Sequence, residues 1–265
     1  GYDLSYMTDI LDANPGLATY TLWDVYTTTP SVAELSAYDL VICANNLNWA
    51  STSIDTTVLS DNLADYIDAG GQLLIAAATW DATFGIAAGR LITDDYTPFE
   101  IGTGVGVSYH DIATIPDPTH PIVDGITTSS LTQVFLHHSG VVMTAGSTML
   151  ADYDDGEPFL GINGAGNVVG INTLIFDGGE ATGNWDQLII NILQYFAGVE
   201  KGWLSIAPTG STVTSLGTEN IDFTYDSTGL ADGNYDARVT FTSNAAAVPV
   251  VAVDFDVADT QPTPP

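Results

Sequence analysis

Basic residues are nearly absent from this chain. Lys201, Arg90 and Arg238 are the only Lys or Arg among 265 residues, against 33 Asp and Glu, so the formal net charge is −30. A field of this sign repels nucleic acid and anionic membrane surfaces and argues against both as partners. It also weakens the compact state unless salt screens the charges or divalent ions bridge the carboxylates. We therefore expect a secreted or cell-surface protein in saline or calcium-containing surroundings.

Cysteines and long apolar runs are also scarce. Cys43 is the single cysteine, which excludes an internal disulfide and a zinc site built from several cysteines. No apolar run approaches the roughly 20 residues of a membrane span, so none is predicted. The sequence opens at Gly1 with neither a signal peptide nor an initiator Met, and we expect a piece of a longer precursor.

The first 199 residues alternate helical and extended patterns. Apolar strands are predicted at Asp39–Ala44 and Gln72–Ala78, and strands without polar alternation are those buried on both faces. The pattern predicts an α/β fold with a doubly wound, mainly parallel three-layer sandwich. Residues 105–178 favour an antiparallel extension with turns at Asp154–Gly156 and Asn163–Gly164. The other predicted segments are helices at Asp3–Asp12, Ser31–Ser36, Asp55–Ala69 and Asn184–Phe196, and a strand at Tyr20–Tyr26.

The composition changes after residue 199. Residues 200–258 are rich in Thr, Ser, Val and Gly, with alternating strands that predict a small β-sandwich, and residues 259–265 form a Pro-rich linker. Trp203–Gly210, Phe223–Leu230, Gly233–Tyr235 and Val239–Asn244 together resemble the immunoglobulin-like repeats of secreted bacterial proteins, of the BACON type. That resemblance implies a spacer or adhesive module without catalytic residues.

Residues 1–199 resemble the class I glutamine amidotransferase-like superfamily, in its divergent secreted and surface-protein branch. The resemblance implies a flavodoxin-like sandwich and, in active members, a Cys in the tight turn after the strand that corresponds to Gln72–Ala78. This sequence has Ala76-Ala77-Ala78-Thr79 there, so the resemblance implies a domain without the family nucleophile. The family's first strand is also missing before Asp3–Asp12. The stretches that carry the resemblance are Tyr38–Ile42, Leu63–Ile75, His120–Ile126, Tyr153–Pro158 and the closing helix.

Two groups of residues are candidate binding sites. Asp152, Asp154, Asp155 and Glu157 surround Gly156 like the opening of a calcium loop, although a plain hairpin turn explains the same pattern. A second group follows two parallel strands, where doubly wound sheets place their ligand crevice. Indole faces and polar side chains suit a polysaccharide there, although both Trp residues could instead pack under loops. This second group is Asn45, Asn46, Asn48, Trp49, Trp80 and Asp81.

The histidines and the cysteine are weaker candidates. His110-Asp111 and His137-His138-Ser139 could contribute to a hydrolase or a metal site, but they lack the i, i+4 spacing of helical ligands. Cys43 lies inside an apolar strand, which favours a core role. His120 precedes Pro121 and favours a hydrogen bond within a loop.

The sequence favours a non-catalytic structural or adhesive module of a larger extracellular assembly. A carbohydrate-binding module that uses Trp49 and Trp80 is the first alternative, and a hydrolase with an unrecognised site is the second. No bound cofactor is expected apart from calcium. The partners would be other modules of the precursor, or identical subunits that fill the place of the missing strand and form a filament.

Overall fold

A computed structural model gives the fold in two compact units, 1–198 and 199–265. The residues that the structure describes are 5–14, 19–25, 27–44, 49, 53–76, 79–83, 85–86, 88–132, 134–173, 182–197, 204–207, 220–225, 233–240 and 250–257.

Two helices of the first unit begin at side-chain caps that the sequence provides. The Asp55 carboxylate accepts hydrogen bonds from the Thr57 and Val58 amides, and Ser31 forms a capping box with Glu34. In the described part of the chain, no helix has both the length and the apolar character to cross a membrane. The α-helices are α1 Ser5–Ala13, α2 Val32–Leu35, α3 Thr56–Asp68, α4 Arg90–Thr93 and α5 Trp185–Ala197.

Six strands form the main sheet, in the order β1-β2-β9-β8-β7-β4. β1, β2 and β9 are parallel, and the remaining pairs are antiparallel, so four of the six strands point the same way. The predicted antiparallel extension and its two turns are confirmed. The strands of this unit are β1 Leu40–Cys43, β2 Gln72–Ala76, β3 Gly104–His110, β4 Ile112–Thr114, β5 Leu131–Thr132, β6 Val134–Ser139, β7 Thr148–Tyr153, β8 Pro158–Ile162, β9 Val168–Ile171 and β10 Thr182–Gly183.

The sheet lies between two helical layers, as predicted. Side chains of a strand alternate between the two faces of a sheet. In β2, Leu74 and Ala76 pack in the core on the side of α1 and α5, whereas Leu73 and Ile75 pack on the side of α3. All four are fully buried, which explains why the strand sequence lacks polar residues.

One expectation about the strands differs from the structure. Residues 19–25 form an irregular segment rather than a strand, with the Val25 amide donating to the Trp23 carbonyl. Alternation of apolar and polar residues does not by itself form a strand, because a strand also needs a neighbouring strand with which to share hydrogen bonds. β1 pairs directly with β2 from Leu40↔Gln72 to Cys43↔Ile75, and the missing first strand stays a prediction.

Arg90 joins α4 to α3. Its guanidinium donates to Asp65, to Asp68 at 2.7 Å and to Asp94 at 3.4 Å, and it also lies 5.6 Å from the Tyr96 ring centroid. The hydrogen bond to Asp68 raises the pKa of the guanidinium further above its ordinary value. One of the three cations of the chain is therefore surrounded by three carboxylates.

The second unit contains two antiparallel strand pairs among its described residues. β11 Leu204–Ala207 pairs with β12 Asp222–Tyr225, and β13 Gly233–Thr240 pairs with β14 Val250–Val257. The predicted strands at Trp203–Ile206, Asn220–Tyr225, Tyr235–Asn244 and Val248–Val257 correspond to these four, whereas Ser211–Leu216 lies outside the described residues. The immunoglobulin-like sandwich stays a prediction.

Candidate functional site

The sequence analysis predicted that the family's nucleophile is absent from the turn after the carboxyl end of β2. Ala76 ends the strand, Ala77 and Ala78 lie outside the described residues, and Thr79 is fully buried. The Thr79 hydroxyl donates to the Ala76 carbonyl at 2.6 Å, while the Thr79 carbonyl accepts from the Ile86 amide at 2.9 Å. The Thr79 hydroxyl is thus buried and holds the turn together, which denies it access to a substrate.

Gly85 closes this corner from the other side. A Cβ at position 85 would lie 2.3 Å from the Thr79 carbonyl oxygen and 2.5 Å from the Asp81 carbonyl oxygen, which is closer than any side chain tolerates. The Gly85 amide donates to the Asp81 carbonyl at 2.9 Å. Backbone therefore packs so closely at Gly85 that no side chain fits there.

Trp80 packs on the sheet instead of facing solvent. Its side chain is fully buried, and its indole N–H donates to the Thr97 hydroxyl at 3.2 Å. Gly161 of β8 pairs with Gly170 of β9, and a Cβ on Gly170 would lie 3.1 Å from the Cη2 atom of Trp80. The two glycines leave a flat area on the sheet that the rings of Trp80 and Phe99 cover, 4.9 Å apart in an edge-to-face contact.

The polysaccharide site predicted from the sequence is not formed by these indoles. Trp49 is also fully buried, in the same core cluster as Trp80, so neither ring offers a face on which a sugar could stack. The Asp81 side chain is 1% exposed and accepts from the Thr83 amide at 2.7 Å, which makes it part of a turn. Asn45, Asn46 and Asn48 lie outside the described residues.

A buried polar group at the end of β9 was missed by the sequence analysis. The Tyr153 hydroxyl donates to the Asn172 carbonyl at 2.6 Å, and the Asn172 side chain donates to the Pro158 carbonyl at 3.1 Å. Burial raises the pKa of Tyr153 well above its ordinary value, so the phenol stays protonated. The signal was available, because Asn172 and Thr173 directly follow an apolar strand, where buried polar groups need partners.

His110 and the turn after β7 form a group of possible metal ligands. The Nδ1 atom of His110 lies 2.7 Å from Asp154 Oδ1 and 3.6 Å from Asp155 Oδ2. The His110 ring also contacts Tyr153, with 5.7 Å between the ring centroids. Among the described residues, this is the one set of three such side chains close enough to share an ion. Mixed nitrogen and oxygen donors suit Zn²⁺ or Mn²⁺ better than calcium, which prefers oxygen ligands alone.

The four carboxylates predicted for calcium do not converge. Asp152 accepts at 2.7 Å from both the amide and the hydroxyl of Thr114, which ties β7 to β4. Glu157 accepts from the Gly140 amide at 2.6 Å, and Asp155 accepts from the Glu157 amide at 3.0 Å. The structure therefore uses Asp152 and Glu157 to hold strands and turns, and brings only Asp154 and Asp155 together with His110.

Cys43 and His120 have the structural roles that the sequence favoured. Cys43 is buried, and burial raises the pKa of its thiol to about 12. The Nδ1 atom of His120 accepts from the Ile122 amide at 3.3 Å, as the loop interpretation predicted. His137 and His138 lie in β6, opposite Gly106 and Val105 of β3, and their side chains lie outside the described part of the structure.

Comparison with known proteins shows a shared fold. A candidate GMP synthase subunit from Thermoplasma acidophilum matches 75% of this chain and 90% of its own, with a TM-score of 0.50 and 11% identity. A candidate ThuA-like protein from Bacteroides uniformis matches 74% of this chain and 83% of its own, with a TM-score of 0.49 and 12% identity. No protein-family model matches the sequence, and no curated protein does.

The likeness is one of fold. The first of these structures shares the α/β fold of this chain, which confirms the expected flavodoxin-like architecture. An identity of 11% carries no information about activity, because one fold supports many functions.

Proposed function

We propose that this chain is a non-catalytic structural or adhesive module of a secreted or cell-surface protein. The observation that carries the proposal is the closed corner after β2. Thr79 is fully buried there with its hydroxyl donating to Ala76, and the backbone at Gly85 comes too close for any side chain. An acyl-transfer site needs an exposed nucleophile beside a general base, and this corner presents neither among its described residues.

The single thiol supports the same proposal. Nucleophilic attack requires the thiolate, and active cysteines have a lowered pKa and access to solvent. Cys43 has the opposite surroundings, with a buried side chain and a pKa raised to about 12. At neutral pH it is a small apolar side chain in the core.

The charge of the chain supports an extracellular setting. A net charge of −30 needs screening salt or bridging cations, which a saline or calcium-containing exterior supplies. The resemblance of residues 200–258 to immunoglobulin-like repeats adds a spacer or adhesive role. In this proposal the partners are other modules of the same precursor or identical subunits.

A turnover assay on the full chain tests the absence of catalysis. We expect no ammonia release from glutamine and no cleavage of ester, amide or glycoside panels above the buffer blank, in high salt with calcium. The matched variants are Thr79→Val and Cys43→Ser, which remove the hydroxyl and the thiol at nearly constant volume. Turnover that either variant abolishes would contradict the proposal, because it would place a nucleophile in a position that we describe as inert.

A further inference from the structure

The end of β3 and the turn after β7 bring three side chains of metal-binding types together beside β4, the last strand of the main sheet. β3 ends at His110, and β4 follows at once and pairs antiparallel with β7. The Asp154 amide donates to the Asp111 carbonyl at 2.9 Å and continues this pairing toward His110. Backbone hydrogen bonds between the two segments therefore hold His110 next to the turn at residues 154–156.

The turn after β7 orients its carboxylates through hydrogen bonds of its own. The Gly156 amide donates to the Tyr153 carbonyl at 2.9 Å, and Gly156 has a φ of +88°, which favours glycine. The Oδ1 atom of Asp155 accepts from the Glu157 amide at 3.0 Å, whereas its Oδ2 atom lies 3.6 Å from His110 Nδ1. One oxygen of Asp155 thus fixes the carboxylate and the other faces His110, which is how outer hydrogen bonds position metal-binding side chains.

The imidazole of His110 is held in place, while the two carboxylates stay accessible. Its ring contacts that of Tyr153, with 5.7 Å between the centroids, and Tyr153 is fully buried. The His110 side chain is 18% exposed, against 55% for Asp154 and 35% for Asp155. An ion that approaches from solvent on the side of the carboxylates would therefore meet an imidazole that is already oriented.

A hydrogen bond explains the position of only one of the two carboxylates. The Nδ1 atom of His110 lies within hydrogen-bond distance of Asp154 Oδ1, at 2.7 Å, but 3.6 Å from Asp155 Oδ2, which is too long for such a bond. Tetrahedral metal bonds of about 2.0–2.2 Å place donor atoms about 3.3–3.6 Å apart. The pair of His110 and Asp155 already has this spacing. The exposed Asp154 carboxylate would have to move by less than about 1 Å to reach it.

The donor atoms and their charge select the class of ion. One imidazole and two carboxylates suit Zn²⁺ or Mn²⁺, whereas Ca²⁺ takes about six to eight oxygen ligands. A neutral imidazole with two carboxylates carries two negative charges, which a divalent ion neutralises. The net charge of −30 also raises the local concentration of divalent cations.

We propose that His110, Asp154 and Asp155 bind a divalent transition-metal ion, Zn²⁺ or Mn²⁺, which cross-links the end of β3 to the turn after β7. Three protein ligands leave at least one coordination position for water or an anionic group, on the solvent side of the carboxylates. The site lies beside β4 at one end of the sheet order, whereas the corner after β2 belongs to an inner strand. The proposal therefore stands whether or not that corner is inert.

Isothermal titration of the chelator-treated full chain with Zn²⁺ or Mn²⁺ alone tests the site. Salt at about 1 M suppresses the general attraction of cations to an acidic surface, because it shortens the Debye length to about 3 Å. We expect one tightly bound ion per chain. His110→Ala, Asp154→Asn and Asp155→Asn should each weaken its binding at least about tenfold. Asn keeps nearly the shape of Asp, so circular dichroism of the two Asn variants should match that of the parent.

Two matched controls and one spectroscopic measurement locate the ion. Asp9→Asn, at an exposed position of α1, removes the same charge elsewhere, and His120→Asn removes another imidazole, so both should leave binding unchanged. In the Mn²⁺-loaded chain, electron spin-echo modulation should show coupling to a directly bound imidazole nitrogen. His110→Ala should abolish this coupling, whereas His120→Asn should not.

Four results would overturn the proposal. Binding of neither ion in high salt would reduce the group to a hydrogen-bonded turn. Unchanged affinity in all three site variants would place the ion elsewhere on this acidic chain. Absence of the nitrogen coupling would remove His110 from the ligands, and tighter binding of Ca²⁺ than of Zn²⁺ or Mn²⁺ would exclude a transition-metal site.

Discussion

Trp80→Ala separates a packing role for this indole from a ligand-binding role. The side chain is fully buried on the glycine pair of β8 and β9, and its N–H donates to Thr97. Truncation of a buried aromatic residue costs about 3–5 kcal/mol, which includes the cavity that it leaves. For a unit of this size, each kcal/mol lowers the melting temperature by about 2–4 °C, so we expect a fall of about 6–20 °C.

Urea unfolding followed by far-UV circular dichroism, at fixed salt, would measure this loss in the full chain. Trp23→Ala is the matched control, because Trp23 is 40% exposed and its truncation should cost less than about 1 kcal/mol. A Trp80→Ala protein within about 1 kcal/mol of the parent would refute the packing argument. If that stable variant had also lost binding to a polysaccharide, the indole would be a ligand platform.

Three further predictions concern single sites. Gly170→Ala should destabilise the first unit by about 1–3 kcal/mol in urea unfolding, because its Cβ would lie 2.7 Å from Pro98, whereas Gly104→Ala, with open space around it, should not. Burial lowers the pKa of His120 below its ordinary 6.5, so the folded state binds fewer protons than the unfolded state. The contribution of His120 to stability should therefore fall as the pH drops below 6.5. His120→Asn should reduce that acid sensitivity in thermal melts, and an unchanged pH profile would contradict the prediction. At the group of His110, Asp154 and Asp155, Zn²⁺ or Mn²⁺ should raise the melting temperature more than Ca²⁺ does, and His110→Ala should abolish the rise. If only Ca²⁺ stabilised the protein, and did so equally after this substitution, the metal site would be excluded.

The regular elements could be predicted because local chemistry determines them. α3 has a cap at Asp55 and apolar positions at helical spacing, and the structure places it at Thr56–Asp68. The hairpin turns at Asp154–Gly156 and Asn163–Gly164 follow from residues that favour turns. Two apolar strands joined by a helix predicted the parallel pair β1 and β2.

The candidate site could not be predicted in the same way, because it depends on contacts between distant residues. A Trp beside an Asp after a strand looks the same whether the indole is exposed or buried. The decisive contacts come from Gly161 and Gly170, about 80 to 90 positions further along the chain. Likewise, the pairing of His110 with Asp154 depends on the antiparallel pairing of β4 with β7, which brings together residues 44 positions apart.

The excess of carboxylates over cationic partners such as Arg90 has a practical consequence for handling the protein. Electrostatic repulsion keeps molecules apart at neutral pH, where the chain carries its −30 charge. Near the isoelectric point of about 4.1, that repulsion disappears. Acidification towards this pH should therefore promote association between molecules, and storage well above it should prevent this.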